Sequence, residues 1–143
     1  VISAFFAQFK GCNSIRLCDT NFEAIKRYAD WLKSDRLSVF RADAKHTEQV
    51  ARLARGVDVV VNAVLPKFNL NVLKAAFKAG ANYLDLAFGP PYDNLKRELE
   101  CSGLLREVGL VAVTGAGKAP GLTNVLAAKA ADRLDEVKNI FVR

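Results

Sequence analysis

The sequence predicts an α/β protein built on a doubly wound parallel sheet. Three observations carry that prediction. Apolar segments of strand length alternate with segments of helical period, the links between them are short, and Val57-Asp58-Val59-Val60-Val61-Asn62-Ala63-Val64 is an almost continuous β-branched run. Strands that alternate with helices through short links build βαβ units and hence parallel sheets. A β-branched run without polar alternation suits a strand covered by helices on both faces, the usual condition in such sheets.

Each element follows in order. Ile2, Phe5, Phe6 and Phe9 share one helical face, with Gly11 as a C′ stop. Ser14 to Cys18 reads as a short strand ending at Asp19. Thr20 and Glu23 fit a capping box, in which hydroxyl and carboxylate satisfy free amides at a helix start. The helix they open turns Phe22, Ile25, Ala29 and Leu32 inward. Leu37 to Arg41 is a second strand, running into Ala42-Asp43-Ala44. Thr47 begins a helix with Val50, Leu53 and Ala54 inward, stopped by Gly56. After the β-branched strand, Asn69 or Asn71 begins a helix through Val72, Leu73, Ala76 and Phe77 to Gly80. Asn82 to Ala87 is a strand, and Gly89-Pro90-Pro91 breaks the chain. A charged helix spans about Asp93 to Val108 and stops at Gly109. Leu110 to Val113 is the next strand, a helix runs from Leu122 to Leu134, and Val137 to Val142 reads as a last strand.

With 143 residues the chain is long enough for one domain with a real core and too short for two. A hydrophobic fraction of 51% and a charged fraction of 25% are those of a soluble globular protein. No stretch reaches the roughly 18 apolar residues of a membrane helix, and no basic segment precedes an apolar one as in a signal peptide. The expected compartment is the cytoplasm, with no membrane partner. The net charge of +6 does not point to nucleic acid, because the basic residues are scattered beside acids, as in Lys96, Arg97 and Glu98. Cys12, Cys18 and Cys101 have no paired spacing and His46 is the one histidine, so no metal site is expected.

Ligands of doubly wound sheets bind at the carboxyl ends of the strands. Those ends here are Asp19, Asp43, Asn62 with Ala63 and Val64, Asp85, and the segment Gly115 to Gly121. In dinucleotide-binding domains an acid about 20 residues beyond a glycine-rich turn accepts hydrogen bonds from the adenosine ribose. Counting back that far from Asp19 reaches Val1. The expectation is therefore a Rossmann-like domain truncated at its N-terminus, its first strand and glycine loop lying upstream of residue 1. Asp19, with Thr20 beside it, is the ribose ligand, or Asp19 only opens a turn before the helix. A carboxylate there favours NAD over NADP, since it repels a 2′-phosphate; Lys26 and Arg27 are the basic residues weighed against that lean. Asp43, with Ala44, lines the adenine pocket or caps a turn. Asn62, Ala63 and Val64 let a cofactor approach the backbone, or Asn62 satisfies loop amides. Gly115 and Gly117, between a strand and a helix, expose amides to a carboxylate or phosphate. Tyr92 and Lys96 match a YxxxK pair, but it follows Pro90-Pro91 directly and lacks an upstream serine, so it is set aside.

The order of these segments resembles the saccharopine dehydrogenase family in its reductase-type branch. Leu17-Cys18-Asp19, Ala42-Asp43-Ala44, Val57 to Pro66, Ala79 to Asp85 and, above all, Gly115 to Asn124 (GAGKAPGLTN) carry the resemblance. It implies an NAD(P)-dependent oxidoreductase that transfers hydride at a C–N bond of an amino-acid-derived substrate. It further implies a Rossmann part over residues 1–119 and, from 120–143, the start of an α+β substrate domain, with a homodimer for the full-length protein. Residues 1–143 alone are expected to be inactive. Asp85 is the implied candidate for catalysis at the active-site rim, against a role as helix cap or ion-pair partner. Thr123 and Asn124 are the implied contacts to a substrate carboxylate. The competing expectation is a non-catalytic nucleotide-binding or regulatory module on the same fold.

Overall fold

The computed structural model describes residues 2–89 and 93–141. Pro90, Pro91 and Tyr92, the first residue of the YxxxK pair, lie outside the described residues, as does Val142.

Helices and strands alternate from the start. Helix α1 (Ile2–Gln8) leads to β1 (Ile15–Asp19), α2 (Phe22–Leu32), β2 (Leu37–Arg41) and α3 (Thr47–Ala54). Strand β3 (Val59–Asn62) is followed by a 3₁₀ turn at Pro66–Phe68 and by α4 (Asn69–Ala79). Then come β4 (Asn82–Asp85), α5 (Asp93–Glu100), α6 (Ser102–Glu107), β5 (Ala112–Val113) and α7 (Leu122–Ala131). Among the described residues no helix is long and apolar enough to cross a membrane.

Every strand pair is parallel, as the alternation predicts. β1 pairs with β2 from Ile15 opposite Leu37 to Asp19 opposite Arg41. A second sheet has the order β3-β4-β5, with Val59 opposite Asn82, Asn62 opposite Asp85, and Tyr83 opposite Ala112. Parallel pairing places the carboxyl ends of all strands in a sheet on one edge, so the chain leaves each sheet where a ligand can meet it.

The core lies against this second sheet. Leu70, Val72, Leu73 and Ala76 of α4 pack with Tyr83 of β4 and Leu105 of α6. Their spacing along α4 puts them on one face, and Leu73 is only 1% exposed. Burying a side chain of that size stabilises the fold by about 2 kcal/mol. Gly80 ends α4 in the left-handed conformation, φ 72°, its amide reaching back to Ala76 and Phe77. A residue with a Cβ adopts that conformation only at a cost.

Five expectations change. Residues 136–141 form no strand and are exposed, because no described strand pairs with them. Val59 is 47% exposed rather than covered on both faces, since β3 is an outer strand of its sheet. The cap of α2 is Asn21, whose Oδ1 accepts from the Ala24 amide at 3.1 Å; Thr20 instead donates its hydroxyl to Asp19 Oδ1. The expected helix from Asp93 to Val108 is two helices broken at Cys101, next to Gly103, a weak helix former. Gly11 also lacks the left-handed conformation of a C′ stop, and α1 ends at Gln8.

Candidate functional site

The end of β1 forms a compact turn. Asp19 Oδ1 accepts from the Asn21 amide at 2.8 Å and from Thr20 Oγ1 at 3.3 Å. That arrangement presents the carboxylate at the head of α2, and its second oxygen makes no hydrogen bond among the described residues. Asp19 and Thr20 are exposed. Asp19 therefore closes a turn and still offers one free acceptor, so the two expectations for it are compatible. Across the register Arg41 donates from Nε to the Thr20 carbonyl at 3.3 Å.

At the end of β2, Asp43 caps a turn by accepting from the Lys45 amide at 2.9 Å. Gln49 of α3 fixes the backbone on either side, donating to the Arg41 carbonyl at 3.3 Å and accepting from the Asp43 amide at 3.2 Å. Ala44 is partly buried against the core.

The ends of β3 and β4 carry a buried polar cluster. Asn62, Asn69, Tyr83, Asp85 and Glu98 are all less than 5% exposed. Alternation along β4 puts Tyr83 and Asp85 on one face, and register sets Asn62 opposite Asp85. Asn62 Nδ2 donates to Asn69 Oδ1 at 2.8 Å and to the Tyr83 hydroxyl at 3.1 Å, while its Oδ1 accepts from the Val64 amide at 3.3 Å. Tyr83 donates to the Asn69 carbonyl at 3.3 Å, and Asn69 Nδ2 donates to the Ala87 carbonyl at 3.0 Å. Asn62 is thus fully engaged within the protein and its side chain does not reach outward. It instead shapes the exit of β3, where Ala63 and Val64 are exposed.

Asp85 is 0% exposed and does not lie on the rim. Its Oδ1 accepts from the Gly115 amide at 2.8 Å and its carbonyl from the Ala116 amide at 2.9 Å, so it ties the exit of β5 to the end of β4. Its Oδ2 and both oxygens of Glu98 have no hydrogen-bond partner among the described residues. Burial raises the pKa of Asp85, partly opposed by the Gly115 amide. Burial and then the nearby Asp85 charge push Glu98 up to about 7. The Tyr83 phenol is raised as well, chiefly by burial, and stays protonated. Beside Glu98 is a cavity of about 10 Å³, lined also by Asn69, Phe88 and Gly89, which is room for one water.

The glycine segment packs tightly on β4. A Cβ on Gly117 would fall 2.0 Å from the Leu86 carbonyl oxygen, so only glycine fits there. Gly115 is buried, and its amide is occupied by Asp85. Asn124 caps its own helix, its Oδ1 accepting from the Gly121 amide at 3.1 Å and from Thr123 Oγ1 at 3.4 Å. Thr123 and Asn124 are therefore brought together, but their polar atoms already bond one another. No three His, Cys, Asp or Glu side chains among the described residues gather where a metal could bind.

Asn69, Tyr83 and Glu98 are the site residues that sequence reasoning missed. A signal existed for Glu98. Leu95, Glu98, Cys101 and Leu105 recur at helical spacing, and Glu98 occupies an inward position in that stripe.

Residues 3–117 match the family model described as the saccharopine dehydrogenase NADP binding domain. The chain is 27% identical over 136 residues to carboxyaminopropylagmatine dehydrogenase of Synechocystis sp., covering 91% of this chain and 34% of that protein. It is 28% identical over 141 residues to carboxynorspermidine synthase of Vibrio cholerae serotype O1, covering 90% and 34%. The chain thus spans about a third of the length of these relatives. Apo saccharopine dehydrogenase (L-Glu forming) from Saccharomyces cerevisiae shares the fold, with a TM-score of 0.70 at 17% identity, covering 90% of this chain and 27% of that one. The chain belongs to the saccharopine dehydrogenase family, and the matched part is its nicotinamide-nucleotide-binding domain.

Proposed function

From that membership we propose that the chain is the dinucleotide-binding part of an oxidoreductase. The enzyme transfers hydride between a nicotinamide dinucleotide and a carbon bearing nitrogen in an amino-acid-derived substrate. The observation that carries this reading is Asp19, an exposed carboxylate with one free oxygen at the carboxyl end of a parallel strand. An acid in that position accepts from the ribose hydroxyls of an adenine dinucleotide.

When bound, the nicotinamide supplies the hydride. The chain's own residues hold and orient it. Asp19 and Thr20 take the ribose, with Asp43 and Ala44 on the adenine side. Ala63 and Val64 leave room for the cofactor against the backbone, and Asn62 sets their path from behind. Asp85 acts as a positioning residue through Gly115, in the loop that Gly117 lets close on β4. Thr123 and Asn124 stand at the head of α7 toward the substrate. Residues 1–119 form the nucleotide-binding unit and 120–143 lead into the substrate domain of a homodimer. The three unpaired cysteines suit a reducing cytoplasm.

Asp19 by itself favours NAD. The test is Asp19→Arg in the full-length protein, with NADH and NADPH affinities measured by titration. The expected result is a fall in the preference for NADH by about ten-fold or more, the loss of a hydrogen bond to a charged group. An unchanged preference removes Asp19 from the ribose site.

A further inference from the structure

Helix α5 packs over the place where the exits of β3, β4 and β5 meet. Beyond β4, Phe88 lies against Gly115 of the β5 exit, where a Cβ would fall 2.6 Å from the Phe88 Cζ. Gly89 lies against Pro66 of the β3 exit, whose Cγ would stand 3.1 Å from a Cβ on Gly89. Asn69 joins the two sides. It donates to the Ala87 carbonyl and accepts from Asn62, which in turn holds the Val64 amide. The small cavity at this junction is lined by Leu95 and Glu98 from α5, and by Pro66, Asn69, Phe88 and Gly89 from the other side. Glu98 is thus the charged group that α5 turns toward the strand ends. It is 4% exposed, and neither of its oxygens is hydrogen-bonded among the described residues.

A carboxyl group in that position suits the packing only while it is neutral, because an unpaired charge in a dry interface is costly until the interface opens to water. The groups that face it are Asp85 and Tyr83 of β4 and Asn69 of α4. Asp85 adds repulsion, the Tyr83 phenol is neutral, and the Asn69 amide offsets burial only in part. The charged side chains Lys74 and Lys78 of α4 and Arg106 and Glu107 of α6 are exposed, as are Lys96, Arg97 and Glu100 of α5 itself. The ion pair among the described residues joins Lys78 to Glu48, and none involves Glu98. We propose that α5 is a pH-operated strap: protonated Glu98 holds it down over the strand exits, and ionised Glu98 releases it, loosening the carboxyl edge at Val64 and Gly115. The strap acts on the edge to which the dinucleotide reading assigns the cofactor, but it does not depend on that reading. Docked, Glu98 keeps its proton up to about pH 7; released into water it returns to its ordinary value of 4.5. Release therefore becomes easier as pH rises between those values, by up to about ten-fold per unit, and levels off above them.

Hydrogen exchange of the full-length protein at pH 5 and pH 8, corrected for intrinsic rates and repeated in low urea, tests the strap. The α5 amides and those of Val64 and Gly115 are expected to open with a smaller urea dependence than the α4 core at Leu73 and Ala76, since release of one short helix exposes little surface. Their opening should rise by roughly fifty- to a hundred-fold from pH 5 to pH 8. Glu98→Gln, neutral at both values, should hold that rise below about three-fold, whereas Glu100→Gln, which alters an exposed acid of the same helix, should leave it in place. Exchange of α5 with the same opening equilibrium and urea dependence as the α4 core overturns the proposal, because Glu98 then acts on global stability alone. That comparison needs only the wild-type protein. A rise that persists in Glu98→Gln also overturns it. So does release of α5 with Val64 and Gly115 still protected, since the helix then holds nothing but itself.

Discussion

Replacing Glu98 by glutamine is expected to stabilise the protein above neutral pH and to leave it nearly unchanged in mild acid. Glu98 is 4% exposed, neither of its oxygens has a described partner, and the fully buried Asp85 stands near it. Two carboxylates in so dry a place resist ionising together. The groups facing Glu98 are Asp85 and Tyr83 of β4 and the neutral Asn69 of α4, and none brings positive charge. The folded chain holds the Glu98 proton up to about pH 7, against an ordinary value of 4.5. A raised acid in the folded state leaves stability intact below the unfolded pKa. Stability is then lost progressively as pH rises from 4.5 to about 7. At about 1.4 kcal/mol per pH unit, the full loss is about 3 kcal/mol. Glutamine mimics the protonated acid in shape and neutrality and abolishes this slope. Urea unfolding at pH 4 and pH 8 measures it, with hydrogen exchange of the α5 amides to localise the change. The variant should match wild type to within about 0.5 kcal/mol at pH 4 and exceed it by about 3 kcal/mol at pH 8. Equal stability at both pH values, or a loss at pH 8, would show that the Glu98 charge is compensated and refute the reasoning.

Two further substitutions probe the strand-end architecture. Gly117→Ala drives a methyl group into the Leu86 carbonyl and should lower stability by about 3 kcal/mol. Gly103→Ala, where nothing lies within 4 Å, should raise it by about 0.5 kcal/mol through helix propensity; the pair is read from melting temperatures. Asn62→Ala leaves Asn69 Oδ1 and the Tyr83 hydroxyl short of a donor. It should cost about 2–3 kcal/mol, measured by urea unfolding, and disorder the Val64 backbone as seen by faster exchange of that amide.

Much of the fold is legible in the sequence because period and punctuation agree. Leu37 to Arg41 is a strand at the expected bounds, and Asn69 and Gly80 bracket α4 as read. Strands β3, β4 and β5 are each shorter than their apolar runs, since pairing rather than hydrophobicity sets their ends. The cap of α2 moved because two polar side chains competed for the same amides. Asn21 reaches Ala24, whereas Thr20 bonds Asp19, and local sequence cannot rank those options. Val137 to Val142 has the composition of a strand but finds no partner, and strand structure is always a property of two segments.

The candidate site was more legible where it is exposed than where it is buried. Asp19 announces itself as an acid at the end of an apolar run, a pattern one segment suffices to define. Glu98 sits among Lys96 and Arg97 and reads as part of a solvated face. Its surroundings are Asn69 of α4, Asp85 of β4 and Phe88 and Gly89 beyond β4, none of which is local. Asp85 shows the same limit in reverse: its position at a strand end suggested contact with substrate, yet the Gly115 amide claims its carboxylate. The division has a physical basis. An exposed polar group needs only its own turn to aim it, as Asn21 and Thr20 aim Asp19. A buried polar group must be satisfied by partners that arrive from elsewhere in the chain. The cluster at the ends of β3 and β4 therefore does for the exits of β3 and β5 what the Asx turn does for β1. It fixes the outgoing backbone, at Val64 through Asn62 and at Gly115 through Asp85, and so the exposed residues beyond it.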